Sequence, residues 1–525
     1  MESFQTIITL MFVATLLVGL SQKIKVPYPI CLVLGGAIMG FIPLEYVIYF
    51  DPDLILLIVL PPILYYAAFE ISFREFRSNL KEIVSLALGL VAFNTFVVGL
   101  IFHLIFPFFP WALAFAFGAI VSPPDAVAAT SILKRFNINT KLLTILEGES
   151  LVNDASALVL YKMAVIALLS GIFSPWQALA TFIFTVLGGI IIGVLLGYVL
   201  QTISRLFFQP VLSVVFSFTL PYVVYVMANY LQVSGVLAVV ATGLVSSKIL
   251  AKYHSTPRRI FGYVSWDIFI TLMNCFVFIL IGLQLQTLTS TMTFAQMVVY
   301  IANASLITAA LILVRMGWVY TRCFFLYLNF SKPAKNLFGD KQPFREATLI
   351  GWAGMRGIVS LTAALALPYT MPNGMPLEGR SQVVFVIFII ILLSLLIPGL
   401  TLAPLVKSLN LSQSSNFETV FAVKQELIKI GKNILYQLHS SKKVSAKENA
   451  FLIAHFELNH QLLNSMKAKE IYGDKLDLIK SSIIKEQRKK LIELWETMQI
   501  DDKLLSELEQ ELDLEEINMT RAELS

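Results

Sequence analysis

The sequence predicts an all-α polytopic membrane protein of about thirteen transmembrane helices, followed by a helical cytosolic tail. Three observations lead there. The chain is 57% hydrophobic and 14% charged, with a mean hydropathy of +0.77, more apolar than a soluble core of this size requires. Apolar runs of roughly 20 residues, enough to cross hydrocarbon as a helix, recur along it. Basic residues collect in every second loop between those runs.

In order, the spans fall at 4–22, 27–45, 52–71, 83–108, 111–133, 142–170, 176–203, 210–231, 233–250, 261–286, 296–321, 346–370 and 382–406. No basic residue precedes the first, which reads as a retained span rather than a cleaved signal peptide. Loops after odd spans carry Lys23 and Lys25, then Arg74, Arg77 and Lys81, then Lys134, Arg135 and Lys141. Further along they carry Arg205, then Lys248, Lys252, Arg258 and Arg259, then Arg322, Lys332, Lys335, Lys341 and Arg345. Loops after even spans offer Arg380 alone. Basic loops stay cytoplasmic, so the N-terminus is expected outside and the C-terminus inside, as in a bacterial inner membrane. The net charge of +5 is loop asymmetry and gives no reason to expect nucleic acid as a partner. Cys31, Cys275 and Cys323 are odd in number and scattered, which argues against a disulfide scaffold or metal site.

The composition changes near Pro404. Residues 1–412 form the membrane domain, and residues 413–525, with 16 Lys/Arg against 19 Asp/Glu, form the tail. Apolar residues recur at helical spacing there, as in "LIKIGKNILYQL", and the end, "SELEQELDLEEI", is acidic. That acidic run is either a solvated helix face or a regulatory contact.

Four spans carry polar groups at membrane depth, where an ionisable residue is a functional candidate by default because burying its charge is costly. The fifth reads "AFAFGAIVSPPDAVAATSIL". Pro123 and Pro124 remove two backbone donors, so the helix should break and leave free carbonyls and a new helix start at mid-membrane. Asp125 then either caps that start or handles an ion, and the two roles are compatible. The sixth carries "LEGESLVNDA". Ser150 and Asp154 are four apart and share a face, which can present oxygens to a small hard cation. Glu149 and Asn153 lie on an adjacent face, placed to brace the site. The twelfth, "LIGWAGMRGIVSLTAALALP", holds Arg356 between Gly354 and Gly357, where a second break is allowed. A buried guanidinium needs a carboxylate or carbonyls, and Glu149 is the expected partner. Glu70, at the cytoplasmic end of the third span beside Arg74, is either an interfacial salt bridge or part of the site.

The two interrupted spans are seven apart, hence opposite in orientation, as in an inverted repeat relating spans 1–6 to 8–13. Spans 4–6 and 11–13 then form a transporting core, with the two broken helices crossing in it. Spans 1–3 and 7–10 form a scaffold.

These motifs resemble those of the sodium/proton exchanger family, in its prokaryotic branch with an Asn-Asp pair. The resemblance rests on "SPPDAVAATSIL", "LEGESLVNDASALVLY" and "GWAGMRGIVSLTAALALP". "WDIFITLMNCFVFILIGLQL" is similar to a tenth-span motif in which members usually have Glu where this chain has Asp267. The resemblance implies a homodimer of thirteen-helix protomers working by an elevator-like movement of the core. It implies Asp154 as the ion- and proton-binding carboxylate, with Asp125, Ser150 and Glu70 helping to coordinate the cation. It further implies Glu149 and Arg356 as a structural ion pair. Many relatives have Thr where this chain has Pro124, so that side-chain ligand is absent and backbone carbonyls remain.

A carboxylate in a low-dielectric site is held back until a cation or a proton neutralises it. Competition between the two for Asp154 gives antiport without a separate gate. With Asn153 rather than a second Asp beside it, the expectation is one cation for one proton, hence electroneutral exchange. Hard oxygens suit Na+ or Li+ and do not exclude K+. The expected partners are therefore a monovalent cation, the proton and the lipid bilayer, with no resident cofactor. A channel would need a repeated filter motif, and an enzyme a pattern such as H-E-x-x-H or G-x-S-x-G; neither occurs. A non-transporting sensor of the same fold is the remaining alternative, against which the presence of both Asp125 and Asp154 argues.

Overall fold

A computed structural model describes residues 2–24, 26–41, 52–136, 138–171, 174–204, 209–253, 256–290, 292–328, 343–371, 374–411 and 417–440, with a few more between 453 and 493. Lys25, Arg205, Lys332, Lys335, Lys341 and the acidic end of the tail lie outside the described residues. The chain divides into two compact units, residues 1–413 and 414–525.

The described part of the first unit is almost wholly helical. In hydrocarbon no water satisfies a free N–H or C=O, so each segment satisfies its own backbone. The helices are α1 (Glu2–Ile24), α2 (Tyr28–Gly40), α3 (Pro52–Glu70), α4 (Phe73–Ser78), α5 (Leu80–Ile105), α6 (Trp111–Val121), α7 (Ala126–Leu133) and α8 (Thr140–Ser170). They continue as α9 (Pro175–Ser204), α10 (Pro210–Tyr230), α11 (Gly235–Tyr253), α12 (Thr256–Thr289), α13 (Phe294–Leu328), α14 (Pro343–Trp352), α15 (Ile358–Leu365) and α16 (Arg380–Leu409). Among the described residues, eight helical stretches are long and apolar enough to cross a bilayer, and Thr9–Ile24, Tyr28–Gly40, Leu57–Glu70 and Gly235–Ile249 are shorter apolar ones.

Local chemistry sets the ends that frame the site. Asn139 caps α8, its side chain accepting from Lys141 N at 3.0 Å, and Gly171 closes that helix in the left-handed region at φ 69°. A π-helical turn over Ser85–Leu90 widens α5, and the Ser156 hydroxyl of α8 donates to the Ala87 carbonyl within it at 2.6 Å. Helices α2 and α12 cross at backbone contact: a Cβ on Gly36 would overlap Ile279 O, and one on Gly282 would overlap Val33 O.

Two apolar clusters result. The larger joins α1, α2, Val59 of α3, α5 to α8, the later part of α12, and α13 to α16. The smaller joins α3, α10 and α11, with Leu151 and Ala155 from α8 and Trp266 from α12. The site lies between them. Outward faces remain apolar, as at Phe184, Leu187, Ile191 and Leu195 of α9, which suits a hydrocarbon surround. In the second unit, α17 (Phe417–Ser440) buries Leu435 and exposes Ile430 and Ile434.

Candidate functional site

Two interruptions meet inside the first unit. At the first, α6 ends at Val121 and α7 begins at Ala126, with the chain extended at Asp125. At the second, α14 ends at Trp352 and α15 begins at Ile358. Each supplies what the other lacks. Asp125 N donates to Met355 O at 2.6 Å. Arg356 Nε donates to Val121 O at 3.2 Å, and Nη1 to Gly354 O at 2.7 Å. Arg356 N donates to the Ser394 hydroxyl of α16 at 3.1 Å. A Cβ at Gly357 would overlap the Asp125 carboxylate, so only glycine permits this approach.

Helix α8 completes the crossing. Asn153 Nδ2 donates to Pro124 O at 3.0 Å, taking a carbonyl that the break exposes. Ser150 Oγ accepts from Ala126 N at 3.2 Å. Asp125 Oδ1 accepts from Val127 N at 2.8 Å, so Asp125 is indeed the cap of α7. Asp154, one turn from Ser150, is buried and faces a cavity of about 290 Å³. Pro123, Asp125, Ser150, Asp154 and Gly357 line its inner part. Two carboxylates, a hydroxyl and nearby carbonyls make a hard oxygen set.

Glu70 also lines this cavity, with Lys134, Glu147 and Asp267, and the exposure of Glu70 and Lys134, at 40% and 52%, marks this end as the mouth. The ion partner of Glu70 is Lys134, at 3.8 Å, rather than the neighbouring Arg74. Lys134 also reaches Glu147 at 3.3 Å. Across the mouth, the Tyr66 hydroxyl of α3 donates to Asp267 Oδ1 of α12 at 2.5 Å, and Tyr66 stacks on Trp266.

One expected pairing is corrected. Glu149 does not hydrogen-bond Arg356. It binds Arg315 of α13 through two parallel contacts, at 2.5 and 2.8 Å, and both side chains are fully buried. Arg315 Nε also donates to Ile350 O at 3.1 Å, which ties α14 to this pair. Arg356 takes the other route open to a buried guanidinium, carbonyl oxygens. Arg315 was missed although its signal was present: it is a lone arginine within "ASLITAALILVRMGWVY".

Fold and site together define an integral membrane transporter of small cations, built on two interrupted helices. The family model for the transmembrane sodium/hydrogen exchanger matches residues 8–408, and the chain belongs to that family. It is a family of secondary transporters, not enzymes. The chain is 29% identical to the uncharacterized Na+/H+ exchanger YjcE of Escherichia coli, over 98% of each chain. It is 29% identical to the Na+/H+ antiporter NhaH of Halobacillus aidingensis, covering 78% of this chain and 99% of that one. It is 31% identical to a sodium, potassium, lithium and rubidium/H+ antiporter of Bacillus subtilis, over 72% of this chain and 57% of that one. Its fold matches the sodium proton antiporter MjNhaP1 of Methanocaldococcus jannaschii at pH 8, with a TM-score of 0.58, 20% identity, and 79% and 99% of the two chains covered.

Proposed function

We propose that the chain exchanges Na+ or Li+ for H+ by alternating access, one for one and without net charge, in sodium and pH homeostasis. The observation that carries this is the position of Asp154: a buried carboxylate at the inner part of the cavity it shares with Asp125 and Ser150. A cation and a proton each neutralise that carboxylate, and neither can do so while the other is bound. Asp154 and Asp125 hold the transported cation, with Ser150 as a neutral oxygen. Glu149, Asn153, Arg356, Pro123 and Pro124 shape the crossing around them. Glu70, paired with Lys134, stands at the mouth, where it draws cations in.

Glu70 and Lys134 lie at helix ends followed by basic loops, which supports an opening on the cytoplasmic side. In this reading the conformation is inward-open, within thirteen spans of which the fifth and twelfth are the broken pair. Residues 413–525 form a cytosolic regulatory tail, two copies of the chain pair, and the core moves past the scaffold. The protein sits in a bacterial inner membrane with its N-terminus outside. A K+/H+ exchanger of the same mechanism is the second reading. The 290 Å³ cavity has room for the larger ion, and the Bacillus subtilis relative is named for both sodium and potassium.

The test is proton movement across proteoliposomes holding an imposed pH gradient, on addition of Na+, Li+ or K+. Sodium should collapse the gradient in the wild type and not in Asp154→Asn. An Asp154→Asn protein as active as the wild type would remove the carboxylate from the mechanism. A response to K+ alone would keep the mechanism and change the substrate. Asn153→Asp tests the stoichiometry. It should make the rate respond to an imposed membrane potential, whereas the wild-type rate should not.

A further inference from the structure

Two side chains on the cavity wall leave polar atoms unused. Asn274 on α12 is 4% exposed and Ser360 on α15 is 2% exposed, and both line the same cavity as Asp125 and Asp154. Asn274 Oδ1 and Ser360 Oγ have no hydrogen-bond partner among the described residues. Ser360 stands in the first turn of α15, one turn beyond Gly357, whose backbone lies against the Asp125 carboxylate.

Leaving a buried acceptor unpaired is costly, so unpaired oxygens on side chains that line a cavity stand to gain from an occupant. The cavity's acids set which occupant. A small cation that has shed its water needs several oxygens, and Asp154, Asp125 and Ser150 provide them from α7 and α8 only. Asn274 and Ser360 provide neutral oxygens from α12 and α15. Being neutral, they change cation binding without adding a proton site.

We propose that Asn274 and Ser360 are cation-contacting residues that complete the oxygen cage around the transported ion and set which monovalent cation fits it. This rests on the exchange reading of the site. It separates two tasks: Asp154 decides between cation and proton, and Asn274 with Ser360 decides among cations. A water held between the two atoms would satisfy them equally well without touching the ion, and the experiment distinguishes the cases.

Purified full-length protein would be melted across a series of Na+, Li+ and K+ concentrations, and the same variants assayed in proteoliposomes. Asn274→Ala and Ser360→Ala remove the oxygens. Asn274→Leu and Ser360→Cys remove or soften them at nearly constant volume, should the alanine forms not fold. Ser360→Thr keeps the hydroxyl. The expected result is a rise of roughly five- to tenfold in half-saturating Na+ by both readouts, as for the loss of one polar contact. The Li+:Na+ preference should also change, the dependence on external pH should not, and Ser360→Thr should remain near the wild type. Folded variants that keep wild-type half-saturation and cation order would overturn the assignment. A wild type without exchange, whose Na+-dependent melting shift is nonetheless lost in Ser360→Cys, would sink the exchange reading and support the cation cage.

Discussion

Two proline pairs in this chain meet different fates. Pro61 and Pro62 lie inside α3, which runs unbroken from Pro52 to Glu70. Pro123 and Pro124 lie where the chain leaves α6 and restarts at α7. Both pairs remove two N–H donors and crowd the carbonyls four residues back. In α3 one such carbonyl, Ile58 O, accepts from the Tyr222 hydroxyl of α10 at 2.9 Å, and the helix carries on. At the second pair the partners come from three directions. Arg356 takes Val121 O, Asn153 takes Pro124 O, and Asp125 caps the new helix. Proline creates the vacancy in both places. Whether the helix breaks follows from which neighbours stand ready to bind the released groups.

That difference predicts its own failure points, and Arg356 is the most severe. Arg356→Ala leaves the Val121 and Gly354 carbonyls unpaired in the interior. Each unpaired buried group costs about 1–3 kcal/mol, partly offset by removing a buried charge. Melting in detergent should fall further than in Asn153→Ala or Tyr222→Phe, and exchange should be lost. Arg356→Lys should restore little, since a single ammonium lacks the planar fork that serves both carbonyls. An Arg356→Ala protein with wild-type melting would show that the crossing is held by packing alone.

The asymmetry also marks how far the sequence could be read. Apolar run length and loop charge are local properties, so the helices and the break in "SPPDA" were legible. The grouping of Ser150 with Asp154 followed from helical spacing alone. What depends on which helix lies beside which was not legible. Glu149 had two arginines within reach of a plausible fold, and α13 rather than the second interruption lies against it. The same limit hid Asn274 and Ser360, unexceptional polar residues until a shared cavity lining brings them together. Pro61 and Pro62 remove the same donors as Pro123 and Pro124, and the partners differ: Tyr222 at Ile58 O in one place, Arg356, Asn153 and the Asp125 cap in the other.

Asn153 sharpens the comparison at smaller cost. Asn153→Ala removes the donor to Pro124 O but leaves Asp154, Asp125 and Arg356 in place. One buried acceptor is then unpaired, which costs about 1–3 kcal/mol. Melting should drop by less than in Arg356→Ala. Exchange should persist at a reduced rate, because the loosened first interruption positions Asp125 less well. Total loss of activity in a well-folded Asn153→Ala protein would instead make Asn153 part of the ion-binding machinery.

Tyr222→Phe is the mildest test and bears on the unbroken helix. It removes the hydroxyl that Ile58 O accepts and keeps the ring. Side-chain hydrogen bonds within membrane proteins average about 0.6 kcal/mol, and α3 retains the rest of its backbone ladder. Melting should fall by no more than a few degrees, with sodium half-saturation and its pH dependence unchanged, since α3 packs mainly in the smaller apolar cluster and carries neither Asp125 nor Asp154. If α3 were poised to break like the α6–α7 segment, this small loss would open it. The cavity mouth at Tyr66 and Glu70, on the same helix, would then change, and sodium half-saturation would rise out of proportion to the loss in melting.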